Sequence, residues 1–435
     1  MDKNKTILFW PESAYGPTNN CIGIANILAS RGYKIIFAAE SSWKGRLKPL
    51  GFIEALLDLA AGNADEQSTG QFWKDFIQNT TPEFRKPTIE QLASFIMPTW
   101  QALIDGAMYC ESRLKEIITQ YKPDIIIEDN VVCFPATVAA GVPFVRIVSC
   151  NPLEMKGIEI APTFSGLPDI DRSQWTKFRS EYDRTHRPLW EKFNNWVQSQ
   201  HAPALVDLEF IHTSKDLNLY VYPTELDYTD KRPLDTHWHR IDSCVRSPTD
   251  QAFKMPEVVK NRPTDSALIY LSLGSLGSTD IELMTRLVSI LSKTKHYYLV
   301  SKGPQADKYK LAENMWGAEF LPQINVIPFV DLVITHGGNN TVTEAVHFGK
   351  PMIVLPLFWD QYDNAQRVHE KGHGKRLATY HFTDSELTST IDELLSNTAL
   401  RNHLDKIGKN VRSRNGIQEA ANKIEGLVNK FVNSN

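Results

Sequence analysis

A run of polar and small residues stands where an apolar strand gives way to a helix, in the stretch 331-DLVITHGGNNTVTE-344. The residues of this run that could bind a ligand are His336, Gly338, Asn339, Asn340 and Thr341. Glycine lets the backbone approach a ligand closely, and the imidazole and hydroxyl can each donate a hydrogen bond. Either asparagine can cap the helix, whose first N–H groups and positive dipole favour an anion. The pattern therefore predicts a diphosphate site.

Two further groups near this run suit the hydroxyls of a sugar. Glu344 lies three residues after Thr341, about one turn further on the same helix face, where a carboxylate could hold a ribose diol. On spacing alone, an ordinary solvated acid explains Glu344 better. The next strand ends in 358-FWDQYDN-364, where Asp360 and Gln361 offer the acceptors and donors that a hexose needs. A plain polar loop is the alternative there.

An earlier stretch, 124-DIIIEDN-130, has the same shape and ends in the acid Asp129. In both halves of the chain the strand is followed by a helical segment, a Gly-x-Pro and another strand. This echo makes Asp129 and His336 equivalent positions at the carboxyl ends of parallel strands, where open α/β sheets bind their ligands. We therefore expect the two residues to face each other across a cleft.

Strands that are apolar throughout alternate with segments of helical spacing, which predicts parallel sheets covered on both faces. A chain of 435 residues is too long for one ordinary core. The predicted fold class is α/β, with two Rossmann-like, doubly wound domains. The predicted parts are an N-terminal domain over residues 1–230, a linker over 231–262, a C-terminal domain over 263–415 and a helix over 416–435 that packs back on the N-terminal domain.

Aromatic residues concentrate near residues 60–100, where they look exposed, and near residues 160–200, on loops and helices expected to lie over the cleft. They include Phe72, Trp73, Phe76, Phe84, Phe95, Trp100, Phe164, Trp175, Phe178, Trp190, Phe193 and Trp196. Their density predicts a broad apolar pocket for an acceptor. For many of these rings taken singly, an ordinary place in the core is the alternative.

The composition argues against several classes of partner. The net charge is −4 and no block of Lys or Arg stands out, so neither a nucleic acid nor an anionic membrane is expected. No stretch has the roughly 18 apolar residues of a membrane span, and the N-terminus lacks the features of a signal peptide. The five cysteines are scattered, as in buried free thiols of a reducing compartment. We expect a cytoplasmic protein.

One acidic pattern could hold a divalent cation. Asp169 and Asp171 form a D-x-D motif, but it lies in a Pro-rich loop with no strand before it, so a solvated acidic turn explains it better. A helix start and His336 could receive a leaving diphosphate without a metal. Neither a metal nor a cofactor is expected.

The stretch from Phe320 to Val368 resembles the nucleotide-sugar box of the family 1 UDP-glycosyltransferases, which have the GT-B fold. The match has the start W-x-P-Q with Phe320 in place of Trp, the centre H-x-G-x-N-[ST]-x-x-E, and the end [DE]-Q. Weaker similarity covers most of the chain. The short form without a membrane tail is similar to the soluble bacterial members.

This resemblance implies roles for residues that match the motif. Phe320 would stack on uracil, the Leu321 backbone would read its edge, and Gln323 with Glu344 would hold the ribose. The diphosphate would contact His336, Gly338, Asn340, Thr341 and Ser275, with Asn339 in the same loop. Asp360 and Gln361 would bind the sugar, and Gln at that position indicates glucose.

The first half departs from the family pattern. The resemblance implies a catalytic His in the loop after the first strand, but Pro17 stands there, and the first histidine of the chain is His186. The family's second catalytic residue, an Asp, matches Asp129. Our hypothesis is that Asp129 itself accepts the proton, directly or through a water. Glu12 and Tyr15, in the same loop, are the backup candidates.

The expected function is the transfer of a hexose, with inversion, from its UDP-sugar to a small aromatic or lipophilic acceptor. Glucose is the hexose expected. A weak carboxylate base suits acidic acceptors best, such as flavonoids, other phenols and xenobiotics, as in detoxification. Two alternatives stay open. One is a catalytically impaired protein that only binds nucleotide sugars, and the other is a UDP-sugar epimerase.

Overall fold

The structure is a computed structural model that describes residues 5–12, 14–60, 79–150, 156–245 and 253–432. Seven parallel strands form the first sheet, in the spatial order β3-β2-β1-β4-β5-β6-β7. The strands are β1 Thr6–Pro11, β2 Lys34–Glu40, β3 Ile53–Leu57, β4 Ile125–Asp129, β5 Phe144–Val148, β6 Leu217–Tyr220 and β7 Trp238–Arg240. Alternate residues of β1 point into two separate cores, one on each face of the sheet. Continuously apolar strands are the consequence.

Six parallel strands form the second sheet, in the order β10-β9-β8-β11-β12-β13. The strands are β8 Leu268–Ser272, β9 Tyr297–Ser301, β10 Met315–Ala318, β11 Leu332–Thr335, β12 Met352–Val354 and β13 Gly374–Arg376. Both sheets therefore have a parallel, doubly wound order, and the predicted fold class is confirmed.

The helices of nine or more residues within the described ranges number nine. They are α1 Tyr15–Ser30, α2 Met97–Tyr121, α3 Trp175–Ser199, α4 Ile281–Leu291, α5 Asn339–His347, α6 Gln361–Glu370, α7 Asp384–Ser396, α8 Thr398–Ser413 and α9 Gly416–Val432. None of them combines the length and the apolarity that a bilayer span requires.

The chain reverses direction across each sheet at one point, between β1 and β4 in the first and between β8 and β11 in the second. A crevice opens at the carboxyl ends of the strands at such a switch point, and ligands bind there. Asp129 is the last residue of β4 and His336 directly follows β11. The two predicted centres therefore lie at equivalent switch points of their sheets.

The segments around the predicted domain boundary belong to the first half of the molecule. Strand β7 pairs with β6, so the first sheet extends to Arg240, past the predicted boundary at residue 230. Helix α9 packs on α1, where the Arg31 guanidinium lies 2.8 Å from the Glu425 carboxylate. Ala420 and Ile424 of α9 share a core with this sheet. The chain thus crosses back to its first half at the end.

The aromatic residues near 60–100 that look exposed in the sequence are buried in the described ranges, so that expectation is wrong for Phe84, Phe95 and Trp100. Phe84, Phe95, Trp100, Phe164, Trp175, Phe178 and Phe193 are buried, Trp190 and Trp196 are partly buried, and Phe72, Trp73 and Phe76 lie outside the described residues. The reason is contact with the second half of the chain. The ring centroids of Phe84 and Phe358 are 4.7 Å apart, and those of Trp100 and Trp359 are 4.9 Å apart.

A buried charge cluster also joins the two halves. The Arg367 guanidinium on α6 donates to the Asp227 carboxylate at 2.7 Å, and both side chains are almost fully buried. Arg240 of β7 donates to the other oxygen of Asp227 at 2.7 Å. Burial alone would raise the pKa of Asp227, but the surrounding guanidinium groups override it and hold this pKa well below its usual range.

Removal of the Asp227 carboxylate should therefore destabilise the fold strongly. We expect Asp227→Ala to lower the free energy of unfolding by about 3–5 kcal/mol, because it leaves buried guanidinium groups without a counter-charge. Urea unfolding monitored by circular dichroism measures the change. Glu181→Ala is the matched control, since it breaks only a surface ion pair with Arg184 within α3. Equal loss in the two variants would contradict the prediction.

Candidate active site

Neither asparagine at the start of α5 caps the helix, so that expectation is wrong. The N-cap residue is Gly338, and the structure has no side-chain hydrogen bond to the first turn. The amide of Asn339 instead donates to two backbone carbonyls of the first half, those of Ser149 at 2.7 Å and Val221 at 2.9 Å. Asn340 pairs with the amide of Asn20 on α1 at 3.3 Å. With both side chains committed elsewhere, the first N–H groups of α5 are left for an anion.

The imidazole of His336 is held between two glycine backbones. A Cβ atom on Gly338 would lie 2.6 Å from His336 Nε2, and one on Gly274 would lie 2.7 Å from His336 Cε1. Gly274 also has a φ of +72°, which a side chain would strain. Any larger residue at either position would push the ring away. The loop after β8, which carries Ser275, and the loop after β11 therefore converge on one ring.

The protonation state of His336 follows from its surroundings. Burial lowers the pKa of His336 to about 4, and a hydrogen bond to the Ser272 backbone raises it only in part. The neutral ring has one N–H, and the Ser272 carbonyl takes it. A phosphate oxygen would then meet a lone pair, unless the ring gained a second proton. His336 is thus neutral by itself and would become a cation by gaining a proton when an anionic ligand binds.

The residues predicted to hold a ribose do lie together, although they are far apart in the chain. Gln323 Nε2 donates to the Glu344 carboxylate and, at 3.1 Å, to Thr341 Oγ1. The Tyr270 hydroxyl fixes the other end of the same amide, with its oxygen 3.1 Å from Gln323 Oε1. Glu344 is half-buried in this network and is not the solvated helix acid that its spacing favoured.

Phe320 and Leu321 precede the short helix Gln323–Val326 that carries this network. Phe320 is 51% exposed, which is unusual for such a ring. Leu321 is half-buried and packs against the core behind it. The position of both residues next to Gln323 is compatible with a base bound beside a ribose.

The loop between β12 and α6 is tied to the His336 loop. Asn364 Nδ2 donates to the Gly337 carbonyl at 2.9 Å and approaches the Asp360 carboxylate at 3.4 Å. Gln361 Oε1 accepts the N–H groups of Leu357 at 3.1 Å and Phe358 at 3.3 Å. The carbonyl end of Gln361 is thus committed to the loop, and its N–H2 end is the part that could meet a sugar hydroxyl.

Asp129 lies on the opposite side of the site, in the first half. It is only 3% exposed, and Ser149 Oγ lies 2.8 Å and 2.7 Å from its two carboxylate oxygens. Burial raises the pKa of Asp129 to about 7, against the lowering effect of the Ser149 hydroxyl. Pro17 lines the same small cavity as Asp129. Its side chain has no imidazole nitrogen that could stand between this carboxylate and the cavity.

The two backup candidates differ in what the structure says of them. Glu12 directly follows β1, and its N–H donates to the Asp129 carbonyl at 2.7 Å. Burial, with a smaller effect of Glu40, raises the pKa of Glu12 to about 7. Tyr15 is the first residue of α1, and its side chain lies outside the described part of the molecule.

Sequence reasoning missed Ser149 and Asn20. Ser149 follows β5, the neighbour of β4, so its place at a strand end was the one signal that could have found it. Asn20 lies inside a helix and carried no signal.

The D-x-D residues have partners within the protein: Lys231 pairs with Asp169, and the Ser173 N–H donates to Asp171 at 3.0 Å. Within the described ranges, no cluster of three or more metal-ligating side chains occurs.

Comparisons with known proteins agree with this arrangement. Residues 237–409 match the family model described as UDP-glucoronosyl and UDP-glucosyl transferase. The NDP-glycosyltransferase YjiC of Bacillus subtilis is 22% identical over 420 residues, which are 96% of each chain. The demethyllactenocin mycarosyltransferase of Streptomyces fradiae is 23% identical over 97% of this chain and 86% of its own.

Solved structures give the same fold. The glycotransferase of kitacinnamycin superposes with a TM-score of 0.71 at 18% identity, over 98% of this chain and 99% of its own. The calicheamicin glycosyltransferase CalG4 gives a TM-score of 0.68 at 16% identity, over 99% of both chains. Two doubly wound parallel sheets that superpose on these structures show the GT-B fold. Over residues 237–409 the chain is similar to the UDP-glucoronosyl and UDP-glucosyl transferase family, and bacterial glycosyltransferases resemble it along almost its whole length.

A nucleoside diphosphate that contacts His336 should bind together with a proton. The ring is neutral in the empty site because its pKa is about 4, and a neighbouring diphosphate would raise that pKa. UDP affinity should therefore increase as the pH falls from 8 towards 5. Titration calorimetry in buffers of different ionisation enthalpy measures the proton uptake.

His336→Gln is the control, because the diphosphate itself also titrates in this range. Gln can still donate one hydrogen bond but cannot gain a proton. We expect less proton uptake on UDP binding in this variant than in the wild type at the same pH. Identical uptake in the two proteins would show that His336 stays neutral in the complex.

Proposed function

We propose that the protein is a cytoplasmic, inverting UDP-glucosyltransferase that glucosylates hydroxyls of small aromatic or lipophilic acceptors. The observation that carries this proposal is the approach of two groups at the switch points of the two sheets. They are the buried carboxylate of Asp129 and the uncapped start of α5, joined through Ser149 and Asn339. One group could take a proton while the other receives a diphosphate. All five cysteines are free thiols, in keeping with a reducing compartment.

The reaction needs no covalent intermediate. The acceptor oxygen attacks C1 of the sugar, the bond from C1 to the diphosphate breaks, and the sugar configuration inverts. The proton of the acceptor passes to Asp129, directly or through a water, because Pro17 has no group that could accept it. The N–H groups at the start of α5, together with His336 and Thr341, would stabilise the charge that develops on the leaving diphosphate.

The raised pKa of Asp129 makes this carboxylate a better base than an ordinary one. A catalytic base works best when its pKa lies near the working pH, and the pKa of Asp129 is about 7. The gap to a phenol, whose pKa is about 10 by comparison with tyrosine, is then smaller than for a solvated carboxylate. The burial of Asp129 thus offsets part of what the missing His would supply.

Aromatic side chains beside a surface cavity of the first half support an aromatic acceptor. A cavity of about 210 Å³ opens at the surface of the first half and is lined in part by Thr163 and Tyr182. These two residues also line a narrower cavity with Trp100. That cavity shares Val131 and Ile211 with the one at Asp129. Each of the three cavities thus shares lining residues with the next, and the two inner ones are small, at about 10 Å³ each.

The second half of the chain contributes an aromatic ring to the same region. Trp359 packs on Trp100, with centroids 4.9 Å apart, and on Phe164, at 4.7 Å. Asp360, the next residue, would then bind the sugar close to where an acceptor ring ends. This neighbourhood supports transfer to an aromatic hydroxyl. The choice of glucose rests on Gln361, whose N–H2 end could meet a sugar hydroxyl.

A mass-spectrometric transfer assay tests the proposed function directly. We expect the protein to add one hexose to a flavonoid or a simple phenol when UDP-glucose is the donor. Parallel reactions with dTDP-glucose, UDP-galactose and UDP-glucuronate measure the choice of nucleotide and sugar. No mass gain in any reaction, together with measurable UDP binding, would instead favour a nucleotide-sugar-binding protein. Pro17 in the place of the expected His is the observation that favours this second candidate.

Replacement of Asp129 tests the catalytic base. We expect Asp129→Asn to lower kcat by about 10²–10⁴-fold on a phenol, because the proton loses its acceptor. In the wild type, kcat/KM should fall as the pH drops through about 7, where Asp129 gains a proton. The variant should lack this limb of the profile.

Glu12→Gln is the matched control, since the pKa of Glu12 is also about 7. This variant should keep the acid limb and most of the activity. Loss of the limb in Glu12→Gln, with Asp129→Asn unchanged, would exchange the two roles.

Thermal stability separates a catalytic effect of Asp129→Asn from misfolding. The folded-state pKa of Asp129 is raised above its unfolded value of 3.8, so the carboxylate lowers stability as the pH rises from about 4 to 7. The variant should therefore melt at a higher temperature than the wild type at pH 8, and this gap should close towards pH 5.

A further inference from the structure

We propose that Asn339 is a positioning residue that sets the start of α5 against the catalytic carboxylate across the interface of the two halves. Asn339 stands at a variable position of the nucleotide-sugar motif, between Gly338 and Asn340. Its N–H2 group is used by the first half of the chain and is therefore not available to a nucleotide sugar. The inference rests on the proposed function, since it concerns the alignment of a donor and a base.

The amide of Asn339 joins the ends of two neighbouring strands of the first sheet. Its Nδ2 donates to the carbonyl of Ser149, directly after β5, at 2.7 Å, and to that of Val221, directly after β6, at 2.9 Å. An N–H2 group has two protons, so these two bonds use all its donors. Asn339 is 5% exposed, and its Oδ1 has no hydrogen-bond partner among the described residues. The contribution of this side chain is thus the bridge to the first half.

Ser149 connects this bridge to the base. The backbone of Ser149 accepts the bond from Asn339, while its hydroxyl lies within 2.8 Å of both carboxylate oxygens of Asp129. One residue therefore contacts the carboxylate with its side chain and the donor helix with its main chain. A shift of α5 relative to β5 would disturb both contacts together.

The consequence for catalysis follows from geometry. A displacement of about 1 Å between reacting groups can cost about 100-fold in rate. Without Asn339, two buried carbonyls would lose their donors, and the two halves would no longer be held at this point. The donor site itself lies within the second half and would stay intact. We expect kcat to fall while the affinity for UDP is unchanged.

Asn339→Leu is the variant that tests the proposal, because the leucine side chain has the same number and branching of heavy atoms as asparagine but no hydrogen-bond donor. We expect kcat to fall 10- to 100-fold, with the Kd for UDP within threefold of the wild type. Thr343→Val is the matched control in the same helix, since the Thr343 hydroxyl donates only to the Asn340 carbonyl within α5. This control should keep kcat.

A change mainly in the Kd for UDP, with kcat preserved, would make Asn339 a donor-binding residue and overturn the proposal. Small-angle X-ray scattering gives a second readout that needs no activity. In the presence of UDP, Asn339→Leu should have a larger radius of gyration than the wild type and the control. Equal radii for all three proteins would also overturn the proposal.

If the wild type transferred no sugar at all, the proposed function would fail. The scattering comparison would still decide whether Asn339 holds the two halves together.

Discussion

The start of α5 meets two requirements that a capped helix could not meet together. In the proposed function its backbone N–H groups must stay open to a diphosphate, and the helix must be fixed relative to the opposite half of the molecule. Two asparagines satisfy the second requirement without using the first set of groups, because their amides reach carbonyl and amide partners in the first half. Gly338 at the N-cap adds no side chain that would compete. The orientation of α5 therefore depends on the asparagine side chains, and its backbone N–H groups are not used for it.

The environment of the two titratable groups follows from the same interface. Asp129 and His336 lie on opposite halves, and burial moves the pKa of each towards its neutral form, to about 7 for the acid and about 4 for the imidazole. An acid with a raised pKa is a stronger base once it is ionised. A neutral imidazole avoids an uncompensated charge until an anion arrives. Near neutral pH the imidazole is therefore uncharged, while the Asp129 carboxyl is divided between its acid and carboxylate forms.

Much of the fold could be predicted from the sequence, because the relevant signals are local. Strands that are apolar throughout indicate parallel sheets, and the repeated strand, helix and Gly-x-Pro order placed Asp129 and His336 at equivalent strand ends. The residues proposed to bind the donor could be picked out for the same reason, since most of them lie within one stretch of the chain. The end of the first sheet was harder to find, because β7 has only three residues and is recognised by its pairing with β6.

The rest depended on contacts between residues far apart in the chain. Asn339 looked like a helix cap because its partners, Ser149 and Val221, lie more than a hundred residues away. Phe84 and Trp100 looked exposed because some of the rings that pack on them, Phe358 and Trp359, lie far away in the second half of the chain. Ser149 gave no signal beyond its place at a strand end. Local patterns carry no information on such pairs, since they are defined only when the two halves meet.

The packing of Phe358 and Trp359 has a consequence for engineering. By chain order both residues belong to the second half, but by contact they complete the core of the first, against Phe84, Trp100 and Phe164. A chimaera joined near the linker, with its donor half taken from a relative, would inherit a foreign loop at this place. Its acceptor half would then lack matching rings, so the short loop before α6 has to travel with the first half when such hybrids are built.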